Sequence, residues 1–187
     1  MTRGDHVDHL LAQWHAAMPD LDATPMAVVA RLSRLGRILD KRVEEVYGRY
    51  GLNQSQFAVL AALRRAGEPY CLSPTQLYNG LLISSGAMTN RLDRLAALGY
   101  IERIPDPGDG RSMLVALTKK GKRLIERVLG PHYDNERRLL SALDDDEQRQ
   151  LANLLRRLLI EFEDDEPPAP ARVLTGSVNG RSSRRRP

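Results

Sequence analysis

Apolar side chains recur every three or four positions along most of this chain, which predicts a series of amphipathic helices. The first helix is predicted at residues 5–18. The second is predicted at residues 24–50, with Thr24 as its cap and a proline at its first helical position. The third is predicted at residues 53–67, where Asn53 begins a capping box and a glycine ends the helix.

Further helices are predicted in the middle and at the end of the chain. Ser73 caps a short helix in "SPTQLYNGL", and a second helix follows at residues 84–99. Thr118 caps a long helix in which Gly130-Pro131 should kink or break the hydrogen-bond ladder. The acidic run "DDDE" at residues 144–147 then begins the last helix, where the helix dipole favours negative charge.

The period changes from helical to alternating after residue 99. "YIERIP" and "MLVALT" alternate apolar and polar residues, and the turn-rich "DPGDGR" lies between them. This pattern predicts a two-stranded hairpin with a long, charged tip.

The helix predicted at residues 84–99 has an apolar side and a polar side. At about 100° per residue, Met88, Leu92 and Leu95 gather on one side. Small residues and hydrogen-bonding residues occupy the rest, which suits insertion into a DNA major groove, since asparagine can pair with adenine edges and hydroxyl groups can bind phosphates. The predicted DNA contacts on this helix are Ser84, Ser85, Thr89, Asn90 and Arg94.

The order of these elements predicts a winged helix-turn-helix, a mostly α fold with a small β-hairpin wing. Residues 1–23 would form an extra N-terminal helix, and residues 24–163 would form the winged domain with its dimerisation helices. Residues 164–187 are Pro-, Ser- and Arg-rich and are predicted to be a disordered tail. The apolar stripe of the last helix needs a partner surface, either in a second copy of the chain or within the same monomer.

The charge is concentrated in two places. Removing the five arginines of residues 167–187 from the 28 basic residues leaves 23 against 24 acidic ones. Within that nearly neutral remainder, residues 84–123 hold eight basic and four acidic side chains. One basic segment on a neutral body predicts a localised contact with a polyanion, here double-stranded DNA; a solvated charged surface is the alternative.

Several classes of protein are disfavoured by the composition. The apolar runs are too short to span a bilayer, so no membrane partner is expected. The single cysteine, Cys71, permits no internal disulfide and suits the cytoplasm. His15 and His132 lack a carboxylate or nucleophile partner at a suggestive spacing, so neither an enzyme nor a cofactor is expected.

The wing segment "DPGDGRSMLVALTKKG" resembles the signature of the MarR (multiple-antibiotic-resistance regulator) family, and the order of elements from about residue 25 to 163 is similar to that family's fold. The resemblance implies a homodimer joined through its N- and C-terminal helices, which commonly represses until a small molecule binds. It also implies that Arg111 enters the minor groove at the wing. Asp109 would hold a basic side chain there, such as Arg94, by a charge-assisted hydrogen bond.

The extra N-terminal helix and the phrase "ISSGAMTNRLDRL" resemble the PecS-like, urate-responsive branch of that family. The resemblance implies a ligand site at Trp14, Arg65 and Arg91, which stand at three of that branch's four ligand positions. The fourth position should be acidic but is Ala58, so a small anion other than urate is expected. The helical wheel independently turns Arg91 inward, where it needs either a ligand anion or a neighbouring carboxylate.

Three alternatives remain open from the residues. An effector-independent or architectural DNA-binding protein would bind duplexes without responding to a ligand. A metal-responsive regulator could use His6 and His9 with the aspartates beside them, although no third ligand is evident and no metal site is predicted. A redox-responsive regulator would have to use Cys71.

Overall fold

A computed structural model describes residues 4–81 and 85–165 of the chain. Its helices are α1 His6–Ala17, α2 Met26–Gly48, α3 Gln54–Arg65, α4 Pro74–Leu81, α5 Ser85–Ala97, α6 Lys119–Leu139 and α7 Asp145–Asp165. Its strands are β1 Cys71–Leu72, β2 Ile101–Asp106 and β3 Asp109–Leu117. The mostly helical fold with a small antiparallel sheet confirms the predicted fold class.

The predicted caps form where short-range hydrogen bonding allows them. Asn53 begins α3 with a reciprocal capping box, since its side chain accepts from the Gln56 amide and the Gln56 side chain accepts from the Asn53 amide. Ser73 and Gln76 make the same exchange at the start of α4. Thr118 begins α6 and accepts from the backbone amide three residues later. These caps fix where α3, α4 and α6 begin.

Three features of the secondary structure differ from the predictions. Helix α2 begins at Met26 without a side-chain cap, because the carbonyls of residues 23–25 accept its first amides and leave Thr24 no capping role. Helix α6 continues through Pro131, so the break does not occur, and the predicted kink stays a prediction. The wing has no long tip, because β2 and β3 pair as far as Asp106 and Asp109.

The sheet contains a third strand that periodicity does not reveal. Strand β1 is two residues long and pairs antiparallel with the end of β3, so that Cys71 lies opposite Ala116. Strand β3 therefore lies between β1 and β2 and ties the wing to the segment before α4. Two residues are too few to show an alternation, which is why this strand was missed.

The core of the domain lies where α3 meets α4, α5, α6 and the base of the sheet. Its most completely buried large side chains are Leu60, Leu63, Leu77, Leu95 and Ile125. Because α5 contributes to this same core, apolar packing on its inner side fixes its position in the domain.

Large apolar side chains on α1, α2 and α7 stay exposed in the protomer. They are Trp14, Val28, Val29, Leu32, Leu35, Ile38, Leu39, Leu151, Leu154, Leu158, Leu159, Ile160 and Phe162. Phe162 is 66% exposed and Leu159 is 57% exposed. A single folded chain rarely leaves so many large apolar side chains exposed close together. Packing within the monomer therefore does not cover the stripe of the last helix.

Helix α1 is attached to α2 by an ion-pair cluster. The carboxylates of Asp5 and Asp8 form the capping box of α1, and both accept from the guanidinium of Arg31 on α2, at 2.8 and 2.5 Å. The Arg31 guanidinium lowers the pKa of Asp5 to about 2, with the Asp8 amide adding to the effect. The extra N-terminal helix is thus attached to α2.

Some predictions fall outside what can be described. Ser84 lies between the two described ranges, and residues 166–187, most of the predicted tail, follow the second. Of the described helices, none has both the length and the apolar content required to cross a bilayer.

Candidate nucleic-acid interface

Helix α5 presents the two sides that its sequence predicts. Met88, Leu92 and Leu95 are buried at 3%, 4% and 0% exposure, which confirms the inward side. Asn90 is exposed on the opposite side, and Thr89 is exposed on the flank. The helix therefore presents these two polar side chains outward while its apolar side anchors it in the core.

The outward residues of α5 form one shallow depression. Its lining consists of Thr89, Asn90, Asp93, Arg94 and Ala97. An amide, a hydroxyl and a guanidinium are groups that donate to base edges and phosphates, and the small Ala97 permits close approach. Ser85 is the first residue of α5, but its side chain is outside the description.

The wing ends in a tight turn shaped by its aspartates. Asp106 accepts from the backbone amide of Gly108 at 2.8 Å and from the hydroxyl of Ser112 at 3.2 Å. Asp109 accepts from the backbone amide of Arg111 at 3.1 Å. Since these contacts are local, the two carboxylates fix the backbone beside the turn and leave the Arg111 side chain exposed.

The predicted pairing of Arg94 with Asp109 is not found among the described residues. Asp109 is used by the amide of Arg111, and the link between the recognition helix and the wing is instead an ion pair of Asp93 on α5 with Arg103 on β2. The Arg103 Nη2 to Asp93 Oδ1 distance is 2.7 Å. Sequence reasoning assigned Arg103 no role, because a separation of ten positions between the partners gives no periodic signal.

A close backbone approach joins the wing to α6. A Cβ built on Gly121 would lie 2.8 Å from the Tyr100 carbonyl carbon and closer still to its oxygen. That oxygen also accepts from the amide of Thr118 at 3.1 Å, while the Thr118 hydroxyl donates to the Gly99 carbonyl at 2.7 Å. The glycine of the wing signature is therefore required by the contact between α6 and the base of the wing.

Arg91 points inward, as the wheel predicts, and is only partly exposed. Its Nη1 atom is buried and has no hydrogen-bond partner among the described residues. Pairing with a neighbouring carboxylate, the alternative considered from sequence, is likewise not found within the described chain. A buried guanidinium nitrogen without an acceptor is costly, which identifies this point as one where an acceptor is needed.

The other two predicted ligand residues lie on separate helices. Trp14 on α1 is 43% exposed, and Arg65 at the end of α3 is exposed. No hydrogen bond, ion pair or ring contact within the described ranges joins Trp14, Arg65 and Arg91. The pocket formed by the three residues thus stays a prediction.

The possible metal and thiol sites have specific surroundings. Among residues 4–81 and 85–165, no group of three or more His, Cys, Asp or Glu side chains is placed to hold a metal ion. Asp5 and Asp8, beside His6 and His9, are used by Arg31. Burial raises the pKa of the Cys71 thiol, with Asp106 adding to the effect, so the reactive thiolate is disfavoured.

A row of polar side chains in contact connects α2 and α6. The sequence analysis did not predict it. The Tyr47 hydroxyl lies 3.2 Å from Nδ1 of His132, whose Nε2 lies 3.3 Å from a Glu136 carboxylate oxygen. His132 therefore does have a carboxylate partner, one helical turn away. Burial raises the pKa of Tyr47, so its phenol stays neutral and serves as a packing and hydrogen-bonding group stacked on Phe57.

Comparisons with known proteins find related sequences and solved structures. The model of the MarR family matches residues 50–112. The transcriptional regulator PecS of Dickeya dadantii is 41% identical over 158 residues, covering 84% of this chain and 95% of that protein. The MarR protein of Salmonella typhimurium is 35% identical over 133 residues, covering 68% and 90%. A solved complex of a MarR cysteine-to-serine mutant from E. coli with operator DNA has a TM-score of 0.64 and 28% identity, covering 78% of this chain and 97% of that one.

Proposed function

This chain belongs to the MarR family of transcriptional regulators, and from that membership we propose that it is a homodimeric repressor that leaves a palindromic operator when a small anion binds. It acts by binding rather than by catalysis, in the cytoplasm. The observation that carries DNA binding is the exposed row of Thr89, Asn90 and Arg94 on a helix packed rigidly in the core. The E. coli MarR structure with operator DNA supports the same use of α5 here.

The mode of DNA contact follows from the two exposed elements. Helix α5 enters the major groove, where Asn90 contacts base edges, and the wing brings Arg111 to the adjacent minor groove. Two copies related by a twofold axis contact half-sites about one helical turn apart. The exposed apolar faces of α1, α2 and α7 are covered by the second copy.

DNA binding is tested with an operator selected by the wild-type protein from random duplexes. Asn90→Ala should relax base preference at one position and cost about 1–3 kcal/mol per half-site, because a bidentate base contact is lost. Arg111→Ala should weaken binding to all duplexes and flatten the salt dependence. Arg149→Ala, on an exposed face of α7, is the matched control. If both α5 and wing variants keep operator affinity within about twofold, the proposed interface is wrong.

The anion response is supported by one atom, the buried Nη1 of Arg91 without an acceptor. An anionic ligand would supply that acceptor and, by pulling on α5, favour a helix position that differs from the DNA-bound one. With Ala58 in place of an acid, urate should bind poorly, and a ligand with more negative charge suits Arg65 and Arg91 better.

The anion response is tested by titrating urate and a panel of aromatic carboxylic acids. Trp14, the sole tryptophan, reports binding through its fluorescence, and operator release is followed in parallel. Arg91→Ala should abolish release while DNA binding survives, whereas Arg127→Ala, on the exposed side of α6, should respond like the wild type. If no compound changes either signal, Trp14 and Arg91 are structural residues and the protein does not respond to anions.

A further inference from the structure

The recognition helix and the wing are connected at two levels. At the base, the Tyr100 amide donates to the Leu95 carbonyl at 3.0 Å and the Thr118 hydroxyl donates to the Gly99 carbonyl at 2.7 Å. Nearer the turn of the wing, the ion pair of Asp93 with Arg103 spans the gap. In the described chain, no other ion pair joins α5 to the hairpin.

Because of its position, this ion pair controls where the far end of the wing lies. Arg103 lies opposite Val115 in the sheet, and Arg111 lies four residues further along β3 toward the turn. Four strand residues span roughly 13 Å, so a pivot of about 15° at the level of Arg103 would move Arg111 by about 3 Å. A displacement of that size removes a side chain from hydrogen-bonding distance of a DNA groove.

Asp93 is otherwise an unfavourable residue for this surface. It lines the same depression as Asn90 and Arg94, and its side chain is 58% exposed. A carboxylate there repels phosphates, so its simple removal should strengthen DNA binding. A compensating contribution from Asp93 is needed if the wild-type arrangement is to bind well.

We propose that Asp93 and Arg103 are positioning residues that brace the wing against α5, so that Asn90 and Arg111 reach the two grooves of one half-site together. The brace rests on the proposed DNA-binding function. Its contribution is preorganisation: without it the wing pivots on its base, and ordering it on DNA costs binding free energy. Because the pair is half-exposed, it contributes little to folding, so its loss leaves the domain intact.

The experiment compares two variants that remove the same charge. Asp93→Asn removes the charge that strengthens the brace and leaves Arg103 at most a neutral amide oxygen, and Glu102→Gln removes an exposed carboxylate from β2 one residue before Arg103. Both are measured with the duplex selected by the wild-type protein, by affinity and by hydroxyl-radical footprinting of the minor groove. Asp93→Asn should lose about tenfold in affinity and lose the wing's minor-groove protection, while major-groove protection by α5 remains. Glu102→Gln should bind as well as the wild type or tighter.

A charge swap supplies the second readout. Asp93→Arg combined with Arg103→Asp restores an ion pair across the same gap and should recover the wing protection, with circular dichroism confirming that all variants are folded. The brace is overturned if Asp93→Asn binds as tightly as Glu102→Gln with its wing protection intact, or if the folded swap recovers nothing. It is also overturned if Asp93→Asn changes base preference at one position and keeps the wing protection, because Asp93 would then accept from a base. A wild-type protein that selects no duplex would instead overturn the proposed function, and the brace with it.

Discussion

Replacing Gly121 with alanine should destabilise the protein more than the same change at any other helical glycine whose surroundings the structure describes. The added Cβ would lie 2.8 Å from the carbonyl carbon and 3.2 Å from the Cα of Tyr100, both shorter than ordinary contacts, and its nearest neighbour is backbone. A flexible side chain could rotate away from such a contact, but a backbone carbonyl in a hydrogen-bonded joint cannot. The base of the wing and the start of α6 must therefore separate.

The expected cost combines two terms. Overpacking of this kind costs about 1–3 kcal/mol. Separation also weakens the hydrogen bond that Tyr100 O accepts from the Thr118 amide at 3.1 Å, which has a net value of about 1 kcal/mol. A loss of about 3 kcal/mol in the free energy of unfolding follows, roughly a hundredfold in the folded-to-unfolded ratio.

Gly48→Ala is the matched control, because Gly48 is also helical and a Cβ there meets nothing within 4 Å. Because Gly48 is the last residue of α2, alanine there should be neutral or stabilise by less than the value of about 0.5–1 kcal/mol for a helix interior. Urea denaturation followed by circular dichroism at one protomer concentration measures both variants, since unfolding of a dimer depends on concentration. If Gly121→Ala costs less than about 1 kcal/mol, the joint between α6 and the wing is not as tight as described.

Three further predictions concern assembly, the tail and the N-terminal helix. Leu159→Arg, at a 57% exposed position, should convert the dimer to a particle near the 21.0 kDa protomer mass in light scattering, because a charge cannot be buried in an apolar interface. Truncation after Glu166 should leave operator specificity intact and weaken binding to random duplexes, because a basic tail adds only counterion release; loss of the dimer would contradict this. The pKa of Asp5 is lowered to about 2 from 3.8, so docking of α1 should hold above pH 4 and be lost as pH falls from 3.8 toward 2. Trp14 fluorescence emission measures that loss, and Arg31→Met should show the undocked emission already at about pH 7. If the Arg31→Met spectrum equals that of the wild type and does not change with pH, the ion-pair cluster does not hold α1 in place.

The features of the fold that could be predicted from the sequence depend on contacts between residues close together in the chain. A cap and its partner lie three residues apart, so Asn53 with Gln56 and Ser73 with Gln76 can be recognised without knowledge of the fold. The inward side of α5 was readable for a similar reason, because helical geometry fixes which side chains share a face. The start of α2 was predicted wrongly because Thr24 and Pro25 fit a cap pattern. In the structure, the backbone carbonyls of residues 23–25 accept the first amides of the helix instead.

Contacts between segments far apart in the sequence could not be predicted. Asp93 could have paired with any of several basic residues, and only the three-dimensional course of β2 places Arg103 beside it. Likewise, Arg31 lies 26 residues from Asp5, and His132 lies 85 residues from Tyr47. The identity of the partners in such pairs depends on how elements pack, and a single sequence contains no periodic signal for it.

The proposed anion response requires only a small helix movement, because Arg91 and Asn90 are neighbours on one helix. Met88, Leu92 and Leu95 hold α5 in the core, so a force on Arg91 moves the helix as a unit. Base contacts tolerate displacements of only about 0.5 Å, and so a small shift caused at Arg91 is enough to misplace Asn90. The ligand then needs only to bind the shifted helix better than the DNA-bound one, by a coupling of about 1–3 kcal/mol. That is within reach of one charge-assisted hydrogen bond to a buried guanidinium that otherwise lacks an acceptor within the described chain.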